Sequence, residues 1–424
     1  MTAAEIKGWC PGARRPMPSG DGLIVRVRPH GGALPVAALR ELADAAQRFG
    51  NGQIDLTRRA NLQIRGVSQQ TLAPLWDVMA SLQLLDDSAE LEAIRNIVIN
   101  PLAGLDPAEI ADMRPIAADL ENRLASEPEL QALPAKFSFA LDGGGRLPLS
   151  GLAADVRLVA CGPAGSNRIA IGLAAADGVT WLGTTVMAGA AAKAVRLARC
   201  VLQLSPTRRA TALPRPAIAA ISAELDLDVS NAIPPQSASP SQRCGLIALT
   251  DELSVTGLGV PFGRLDSDTL AHLAEILSAH AIGEVRLSPW RTLYVAAGRA
   301  VAGQIIADAA TLGLIVDDAD PMMRIDACSG VGCCSSTALA TRQHARVLAD
   351  AMARTRFQGS LHVSGCAKGC ARSASADVVL IGEGDHYRIV RNGTVRSEPC
   401  GIVDPAHLDQ VAVALFKARE KADV

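Results

Sequence analysis

The chain repeats itself over a long spacing, and this repeat constrains its fold more than any other feature of the sequence. The segment GGALPVAALRELADAAQRFGNGQIDLTRRANLQIRG begins at Gly31. It aligns without gaps with FGRLDSDTLAHLAEILSAHAIGEVRLSPWRTLYVAA, which begins at Phe262, at an offset of 231 residues. Apolar positions coincide, as they do for Leu56 and Leu287. A period of this length indicates duplication of a domain-sized unit and not a short-period solenoid.

Each repeat, called an A unit below, reads as strand, helix, strand, helix. The first strand is GLIVRVRP, and the helix spans roughly Pro35–Phe49, with apolar residues three to four apart. The second strand is QIDLTRRANLQIRG, in which polar and apolar residues alternate. A second kind of segment, the B unit, follows each A unit, because ADVRLVACG near Asp155 resembles ADVVLIGEG near Asp377. We therefore expect an α+β fold in the order A-B-A′-B′.

These patterns predict five segments along the chain. They are the first A unit (1–85), the first B unit (86–205), a linker (206–245), the second A unit (246–316) and the second B unit (317–424). The linker prediction rests on composition, since residues 206–245 are rich in Pro, Ala and Ser.

Composition narrows the possible locations and partners. Hydrophobic residues make up 49% of the 424 residues, which favours a large core over disorder. A formal net charge of -2 gives no general reason to expect nucleic acid or an anionic membrane as a partner. The N-terminus lacks the apolar region of a signal peptide. The most apolar helix candidate, Val186–Leu204, contains Lys193 and Arg196, so we expect a buried amphipathic helix, no membrane span and a cytoplasmic protein.

Cations and amides recur along the predicted second strand of the first A unit. Side chains alternate across a strand, so its polar residues are expected on one face. They are Thr57, Arg59, Asn61, Gln63 and Arg65. Arg26 and Arg28 would likewise share a face of the first strand. Because the planar guanidinium group binds carboxylates through two hydrogen bonds, the pattern indicates a surface for an anionic ligand; an ordinary solvated face is the alternative.

Four of the ten cysteines form two motifs. Cys328 and Cys334 have the spacing C-x5-C, and Cys366 and Cys370 have the spacing C-x3-C. In a reducing compartment such cysteines favour metal or catalytic chemistry over disulfides. Structural zinc sites favour the tighter spacing C-x2–4-C, whereas two open Gly-rich turns suit a [4Fe-4S] cluster. Buried structural thiols are the alternative.

The cysteine spacing resembles the [4Fe-4S] motif of the sulfite and nitrite reductase superfamily, and this match favours Cys334 over the adjacent Cys333. DLTRRANLQIRG resembles the strand that holds sirohaem there, and LIVRVRPHGG resembles another tetrapyrrole-binding stretch. IRNIVINPLAG and LPAKFSFAL resemble further binding segments. The residues at matching positions are Arg26, Arg28, Arg59, Gln63, Arg65, Arg95, Asn96 and Lys136. The resemblance implies a duplicated fold of two ferredoxin-like half-domains and two larger α+β domains, with the cluster in the last of them.

Two features of the sequence indicate a particular branch of that superfamily. The reductases carry a second Lys, which serves the small oxyanion, where this chain has Ser138. CPGARRPMPSGDGLIVRVRP and LSPWRTLYV resemble the precorrin-3B synthases of aerobic cobalamin biosynthesis. This resemblance implies a monooxygenase that uses O2 to hydroxylate the tetrapyrrole precorrin-3A at C20 with formation of a lactone. The alternative is sirohaem-dependent reduction of sulfite or nitrite, and only this alternative requires sirohaem.

The same resemblance implies further components. An additional mononuclear non-haem iron would need His and carboxylate ligands. The seven histidines show no paired metal-binding spacing, and His362 is the one nearest the second cysteine motif in sequence. No nucleotide-binding fingerprint opens a helix after a strand, so electrons are expected from an external ferredoxin or NAD(P)H-dependent reductase.

Overall fold

The computed structural model of the chain describes residues 10–176, 178–229, 240 and 242–417. Its strands are β1 (Met17–Ser19), β2 (Gly22–Val27), β3 (Ala33–Pro35), β4 (Gln53–Leu56), β5 (Leu62–Val67), β6 (Ile97–Ile99), β7 (Phe139–Asp142), β8 (Val156–Cys161), β9 (Arg168–Ala175), β10 (Gly178–Val186), β11 (Gly245–Ala248), β12 (Leu253–Gly259), β13 (Arg264–Asp266), β14 (Glu284–Leu287), β15 (Thr292–Gly298), β16 (Ile325–Ala327), β17 (Leu361–Ser364), β18 (Ala376–Glu383), β19 (His386–Gly393) and β20 (Gly401–Val403). Its α-helices are α1 (Val36–Phe49), α2 (Gln69–Ser81), α3 (Ala89–Ile94), α4 (Arg114–Ala125), α5 (Met187–Leu204), α6 (Arg215–Glu224), α7 (Ser267–Ala279), α8 (Arg299–Thr311), α9 (Thr341–Thr355) and α10 (Leu408–Phe416).

The two A units exchange their edge strands. The first A sheet has the order β1-β2-β5-β4-β13, and the second has the order β11-β12-β15-β14-β3. Strand β13 belongs to the second A unit but pairs with β4 of the first, while β3 of the first unit pairs with β14 of the second. Each sheet is therefore completed by the other repeat, and the two A units form one structural body.

The two B units have the same sheet. In the first, β6, β7 and β8 run parallel and β9 and β10 continue antiparallel to them. In the second, β16, β17 and β18 run parallel, followed by antiparallel β19 and β20. The repeated order of parallel and antiparallel strands confirms the predicted α+β duplication.

Helices α1 and α7 occupy equivalent positions and pack against each other in a core shared by both A units. Helix α1 starts after Pro35 and ends at Gly50, which agrees with the predicted boundaries. Its apolar side chains recur every three to four residues, so they line one face of the helix. Leu39 and Leu42 are at most 1% exposed, and full burial of one such side chain contributes about 1.5–3 kcal/mol.

The predicted single strand from Asp55 to Arg65 is wrong, because the chain turns back within it. Strands β4 and β5 form an antiparallel hairpin in which Asp55 lies opposite Gln63. The Thr57 hydroxyl oxygen accepts hydrogen bonds from the backbone N–H groups of Arg59 (3.2 Å) and Asn61 (3.3 Å). Such a side-chain bond to the backbone favours a turn over a continued strand. Arg59 therefore lies in a turn and not on the face that carries Gln63 and Arg65.

The region predicted as a linker is partly ordered. Helix α6 lies within it, and Ile221 of this helix is 1% exposed in the core of the first B unit. Residues 230–239 and 241, which carry much of the Pro/Ser-rich sequence, lie outside the described residues. The helix predicted over Val186–Leu204 is confirmed as α5, and no helix in the described ranges is long and apolar enough to cross a membrane.

The hairpin can be tested at Ala60, whose φ of 52° lies in the left-handed region. In this conformation a β-branched side chain is strained, so Ala60→Val should lower the free energy of unfolding by about 1–2 kcal/mol. Ala60→Gly should be tolerated, because Gly adopts this conformation without strain. The two variants are compared with the native chain by urea unfolding. A straight strand would give the opposite ranking, with Val more stable than Gly.

Candidate functional site

The second B unit brings four thiols together. Cys328 follows β16 and Cys366 follows β17, and these strands are parallel neighbours, so both residues emerge at the same edge of the sheet. Loss of hydration and the nearby thiols of Cys366, Cys328 and Cys334 raise the pKa of Cys370. The thiols of Cys328, Cys334 and Cys366 thus lie near enough to act on Cys370, and their role as cluster ligands stays a prediction.

The surroundings of these thiols suit a cluster of several metal ions. The backbone N–H of Gly365 donates a hydrogen bond to the sulfur of Cys328 at 3.1 Å, and such bonds favour thiolates. A Cβ atom at Gly365 would come within 2.5 Å of Thr337, so the close approach requires glycine. Among the described residues, no three His, Cys, Asp or Glu side chains could hold a single metal ion. The open spacing of the two cysteine motifs and the N–H donated to Cys328 suit a [4Fe-4S] centre better than a structural zinc site.

Cys333 has different partners from Cys334. The guanidinium group of Arg264 donates a hydrogen bond to its sulfur at 3.2 Å. Its carbonyl oxygen accepts from the Ser19 hydroxyl (2.8 Å) and from Arg65 (3.1 Å). Both ends of Cys333 are thus held by the A units, which leaves Cys334 as the member of the pair that faces the other three thiols.

A first cavity of about 360 Å³ lies beside the first B unit, and its lining includes Cys10, Arg28 and Lys136. Lys136 is exposed at this cavity. Two acids, Glu90 and Glu92, also line this cavity, together with a further cation, Arg15. The first cavity therefore brings together cations from the segment before β1, from the residue after β2 and from the segment before β7.

Among the residues that the structure describes, neither Arg26 nor Arg59 forms an ion pair, although the charge of Asp155 acts on Arg59 and that of Glu92 on Arg26. One terminal nitrogen of Arg59 donates to the hydroxyl of Ser138 at 2.6 Å, and the Ser138 backbone N–H donates to Asp155 at 3.1 Å. Burial and the neighbouring cation Arg209 lower the pKa of Arg59. The Nε atom of Arg26 is buried without a hydrogen-bond partner, and loss of hydration together with Arg59 lowers its pKa. An anionic ligand would relieve both groups.

Arg28 and Arg95, by contrast, are committed to internal contacts. Arg28 donates to the carbonyl oxygen of Glu92 and to the Asn96 side chain, each at 2.6 Å. Arg95 forms two hydrogen bonds of 2.8 Å with Asp86. Both arginines are less than 10% exposed. They hold α3 and the residues that flank it in place.

Asn96 connects these ion pairs to the segment that carries Lys136. Its amide nitrogen donates to the carbonyl oxygens of Ala135 (3.0 Å) and Phe137 (2.9 Å). The two carbonyl groups flank Lys136 in the chain. Asn96 therefore fixes the backbone from which Lys136 extends towards the first cavity.

Arg65 is also neutralised within the protein. It forms two hydrogen bonds with Asp21, of 2.8 and 2.7 Å, and a third with Asp55 at 3.3 Å. The expectation of a face of arginines free for an anionic ligand is therefore wrong for Arg65 and Arg28, because the acids Asp21, Asp55 and Glu92 reach them. Gln63, two residues before Arg65 and about 7 Å away along the strand, lies opposite Arg26 in the sheet.

A second cavity, also of about 360 Å³, lies beside the second B unit. Its wall includes Trp290, which the duplication aligns with Arg59. Its cations converge on one buried acid, since Asp326 pairs with Arg58, with Arg291 at 3.0 Å and with Arg372 at 3.1 Å. The second cavity thus has the arginines of an anion site, and three of them share the single carboxylate of Asp326.

His362 does not complete an iron site in the described residues. It is 0% exposed, both ring nitrogens lack a hydrogen-bond partner, and burial lowers its pKa to about 4. Its neighbour Asp326 is saturated by three arginines, and no further His, Cys, Asp or Glu of the described ranges joins them as a single-ion site. The residues described here do not fit the mononuclear iron that the resemblance implied.

Comparison with known proteins agrees with the duplicated α+β fold. Residues 15–82 and 250–297 match the nitrite/sulfite reductase ferredoxin-like half domain, and residues 90–199 match the nitrite and sulphite reductase 4Fe-4S domain. A precorrin-3B synthase of Sinorhizobium sp is 33% identical over 95% of this chain and 86% of its own length. The chain belongs to the nitrite and sulfite reductase superfamily, in the family of precorrin-3B synthase.

More distant relatives share the fold. The ferredoxin–nitrite reductase of Synechococcus elongatus is 24% identical over 87% of this chain and 77% of its own. The sulfite reductase [ferredoxin] of Mycobacterium tuberculosis is 23% identical over 85% of this chain and 70% of its own. The solved structure of the Mycobacterium tuberculosis NirA protein matches with a TM-score of 0.76 at 19% identity, covering 95% of this chain and 82% of that chain.

The match to the 4Fe-4S domain falls on the first B unit, whereas the four grouped thiols lie in the second. The first B unit carries Cys161 within the matched residues 90–199 and has no comparable motif. The two B units have the same sheet order, so they are copies of one domain of which only the second has the cysteines.

Arg95 is paired with a buried acid, whereas Arg59 is bonded to a neutral hydroxyl, and this difference predicts different effects of their removal on stability. Arg95→Ala leaves the buried carboxylate of Asp86, 6% exposed, without its partner, and should lower the free energy of unfolding by about 3–5 kcal/mol. Arg59→Ala removes one hydrogen bond to Ser138 and should cost about 1 kcal/mol or less. Denaturant unfolding of both variants measures the difference. Equal losses would contradict this prediction.

Proposed function

We propose that the chain is a precorrin-3B synthase, which hydroxylates precorrin-3A at C20 and closes a lactone, with O2 as the oxygen source. The relative with that name, at 33% identity over 95% of this chain, supports the substrate class. The contact between Arg59 and the Ser138 hydroxyl favours precorrin-3B synthase over the reductases, because Ser138 stands where the reductases have a second Lys.

The proposed substrate suits the charges of the first cavity. Precorrins carry acetate and propionate groups around the ring, and arginine binds such carboxylates through paired hydrogen bonds. We assign direct contact to Arg26, Arg59, Gln63 and Lys136. The residues that keep them in position are Arg28, Arg65, Arg95 and Asn96.

Cys328, Cys334, Cys366 and Cys370 would hold the [4Fe-4S] cluster. When bound, the cluster supplies electrons one at a time, which a monooxygenation needs. The overall reaction takes one O2, two electrons and two protons; one oxygen atom enters the new hydroxyl group and the other leaves as water. The electrons come from an external ferredoxin or NAD(P)H-dependent reductase.

Reduction of sulfite or nitrite with bound sirohaem is the alternative, and the reductase relatives support it at 23–24% identity. A sulfite ion concentrates its charge in a small volume and needs several cations close together. Ser138 supplies a hydroxyl where a reductase supplies an ammonium group, so the positive charge beside Arg59 is smaller. The visible spectrum of the purified protein separates the two, since sirohaem gives strong bands and a cluster alone gives a broad shoulder.

The cluster ligands can be tested by comparing two adjacent cysteines. Cys334→Ala should lose the iron and the brown colour, because Cys334 supplies one of the four thiolates. Cys333→Ala should keep both, because the Cys333 thiol is bound by Arg264. Iron and acid-labile sulfide are measured on each purified variant. A chain that keeps its iron as Cys334→Ala and loses it as Cys333→Ala would reverse the assignment.

The chemistry can be tested with labelled oxygen. Reduced dye is the electron source, and precorrin-3A should be converted in air but not under anaerobic conditions. Mass spectrometry should find one 18O atom from 18O2 in the new hydroxyl group. Label that comes from water instead would exclude direct oxygen insertion. Rapid anaerobic reduction of sulfite or nitrite by the same preparation would support the alternative.

A further inference from the structure

A largely buried arginine network, made of Asp21, Asp55, Arg65, Arg264 and Arg342, lies where the A units meet the second B unit. Asp55 is its centre. It accepts two hydrogen bonds from Arg264, of 2.7 and 2.8 Å, and it lies 3.5 Å from a terminal nitrogen of Arg342. Despite burial, these arginines lower the pKa of Asp55 to about 2. None of these five residues lines the first cavity or is a proposed cluster ligand, and only Arg65 has a positioning role there.

The network touches the first cysteine motif from two sides. Arg264 donates to the sulfur of Cys333, which is next to the proposed ligand Cys334. Arg342 follows Thr341, whose hydroxyl donates to the carbonyl oxygen of Cys328 at 2.8 Å and lies 3.6 Å from its sulfur. Arg264 therefore contacts the motif directly at Cys333, and Arg342 is joined to it through the adjacent residue Thr341 and through Asp55.

The network has more positive than negative groups. Three guanidinium groups face only the two carboxylates of Asp21 and Asp55. The surplus is greatest at Arg342, whose Nε atom and one terminal nitrogen are buried without hydrogen-bond partners. Burial, Arg264, Arg291 and Arg65 lower its pKa to about 10 in spite of Asp55. A buried cation kept without full compensation destabilises the protein, which argues for a role beyond folding.

We propose that the arginine network stabilises the reduced state of the [4Fe-4S] cluster, with Arg342 as its charge-bearing member and Arg264 as the residue that positions the cysteine loop. This inference rests on the cluster assignment of the proposed function. Uptake of one electron from the external donor makes the cluster and its four thiolates one unit more negative. A nearby buried cation favours that state, so the network raises the midpoint potential and eases electron uptake from a weak donor.

The test compares two arginines on one helix. Arg342→Gln removes a charge whose contact with an acid is the 3.5 Å ion pair with Asp55. It should shift the oxidised–reduced equilibrium about tenfold towards the oxidised cluster, which corresponds to about 59 mV more negative for one electron. Arg346→Gln, one turn further along α9 at an exposed position, is the matched control. Midpoint potentials are measured on the full-length, cluster-loaded proteins by dye-mediated titration monitored by electron paramagnetic resonance.

Opposite charge changes separate electrostatics from structural damage. Asp55→Asn removes a negative charge and should shift the midpoint potential in the positive direction. Arg264→Lys keeps the positive charge and should therefore retain a midpoint potential close to the native value. A negative shift for Arg342→Gln no larger than that of Arg346→Gln, or a positive one, would overturn the proposal. So would a negative shift for Asp55→Asn in protein with full iron content. Iron analysis is independent of these potentials, and iron absent from the native chain itself would instead contradict the proposed function.

Discussion

The contact between Asp55 and Arg264 is the constraint on which the assembly of the molecule depends. The two residues lie opposite each other where β4 of the first A unit pairs with β13 of the second. The exchanged strand and the buried ion pair are thus the same contact, and the ion pair fixes the strand register. Burying two charges is favourable only when their remaining hydrogen-bonding groups are satisfied, and here Arg65, Arg342 and Cys333 contribute to that. Joining the repeats therefore also positions the cysteine loop.

The duplicated units could be predicted from the sequence, but the contacts between them could not. The offset of 231 residues identified the duplication, and apolar spacing located α1 and α5 almost to the residue. Cysteine spacing identified four thiols that the fold brings together. Alternation along QIDLTRRANLQIRG, however, suggested one strand, because the polar Thr57–Asn61 turn has the same period of two as a strand. A hydrogen bond from a backbone N–H to the Thr57 hydroxyl leaves no trace in the pattern.

The acids that neutralise the arginines could not be located in the same way. Arg65 finds Asp21 across the sheet and Arg95 finds Asp86 before α3. Asp326 lies about 270 residues from Arg58 in sequence, and the two residues meet only in the folded chain. A run of arginines therefore shows that cations will share a region, but the number left for a ligand depends on long-range packing. The arginine network was missed for this reason, since Arg264 and Arg342 have no repeated counterpart that is basic.

Duplication explains why the two cavities differ. Both have volumes of about 360 Å³, and both began as the same element of a repeated unit. In the second, Arg58, Arg291 and Arg372 bind Asp326, so the protein supplies its own anion. In the first, Arg26 and Arg59 have no such acid, and Ser138 contributes a neutral hydroxyl. The lining of the first cavity includes the acids Glu90 and Glu92 as well as the cations Arg15, Arg28 and Lys136, so an incoming anion would meet one cation in excess of the acids. Its positive charges are spread over Arg15, Arg28 and the Lys136 segment, and that spacing suits carboxylates distributed around a large ring better than one compact oxyanion.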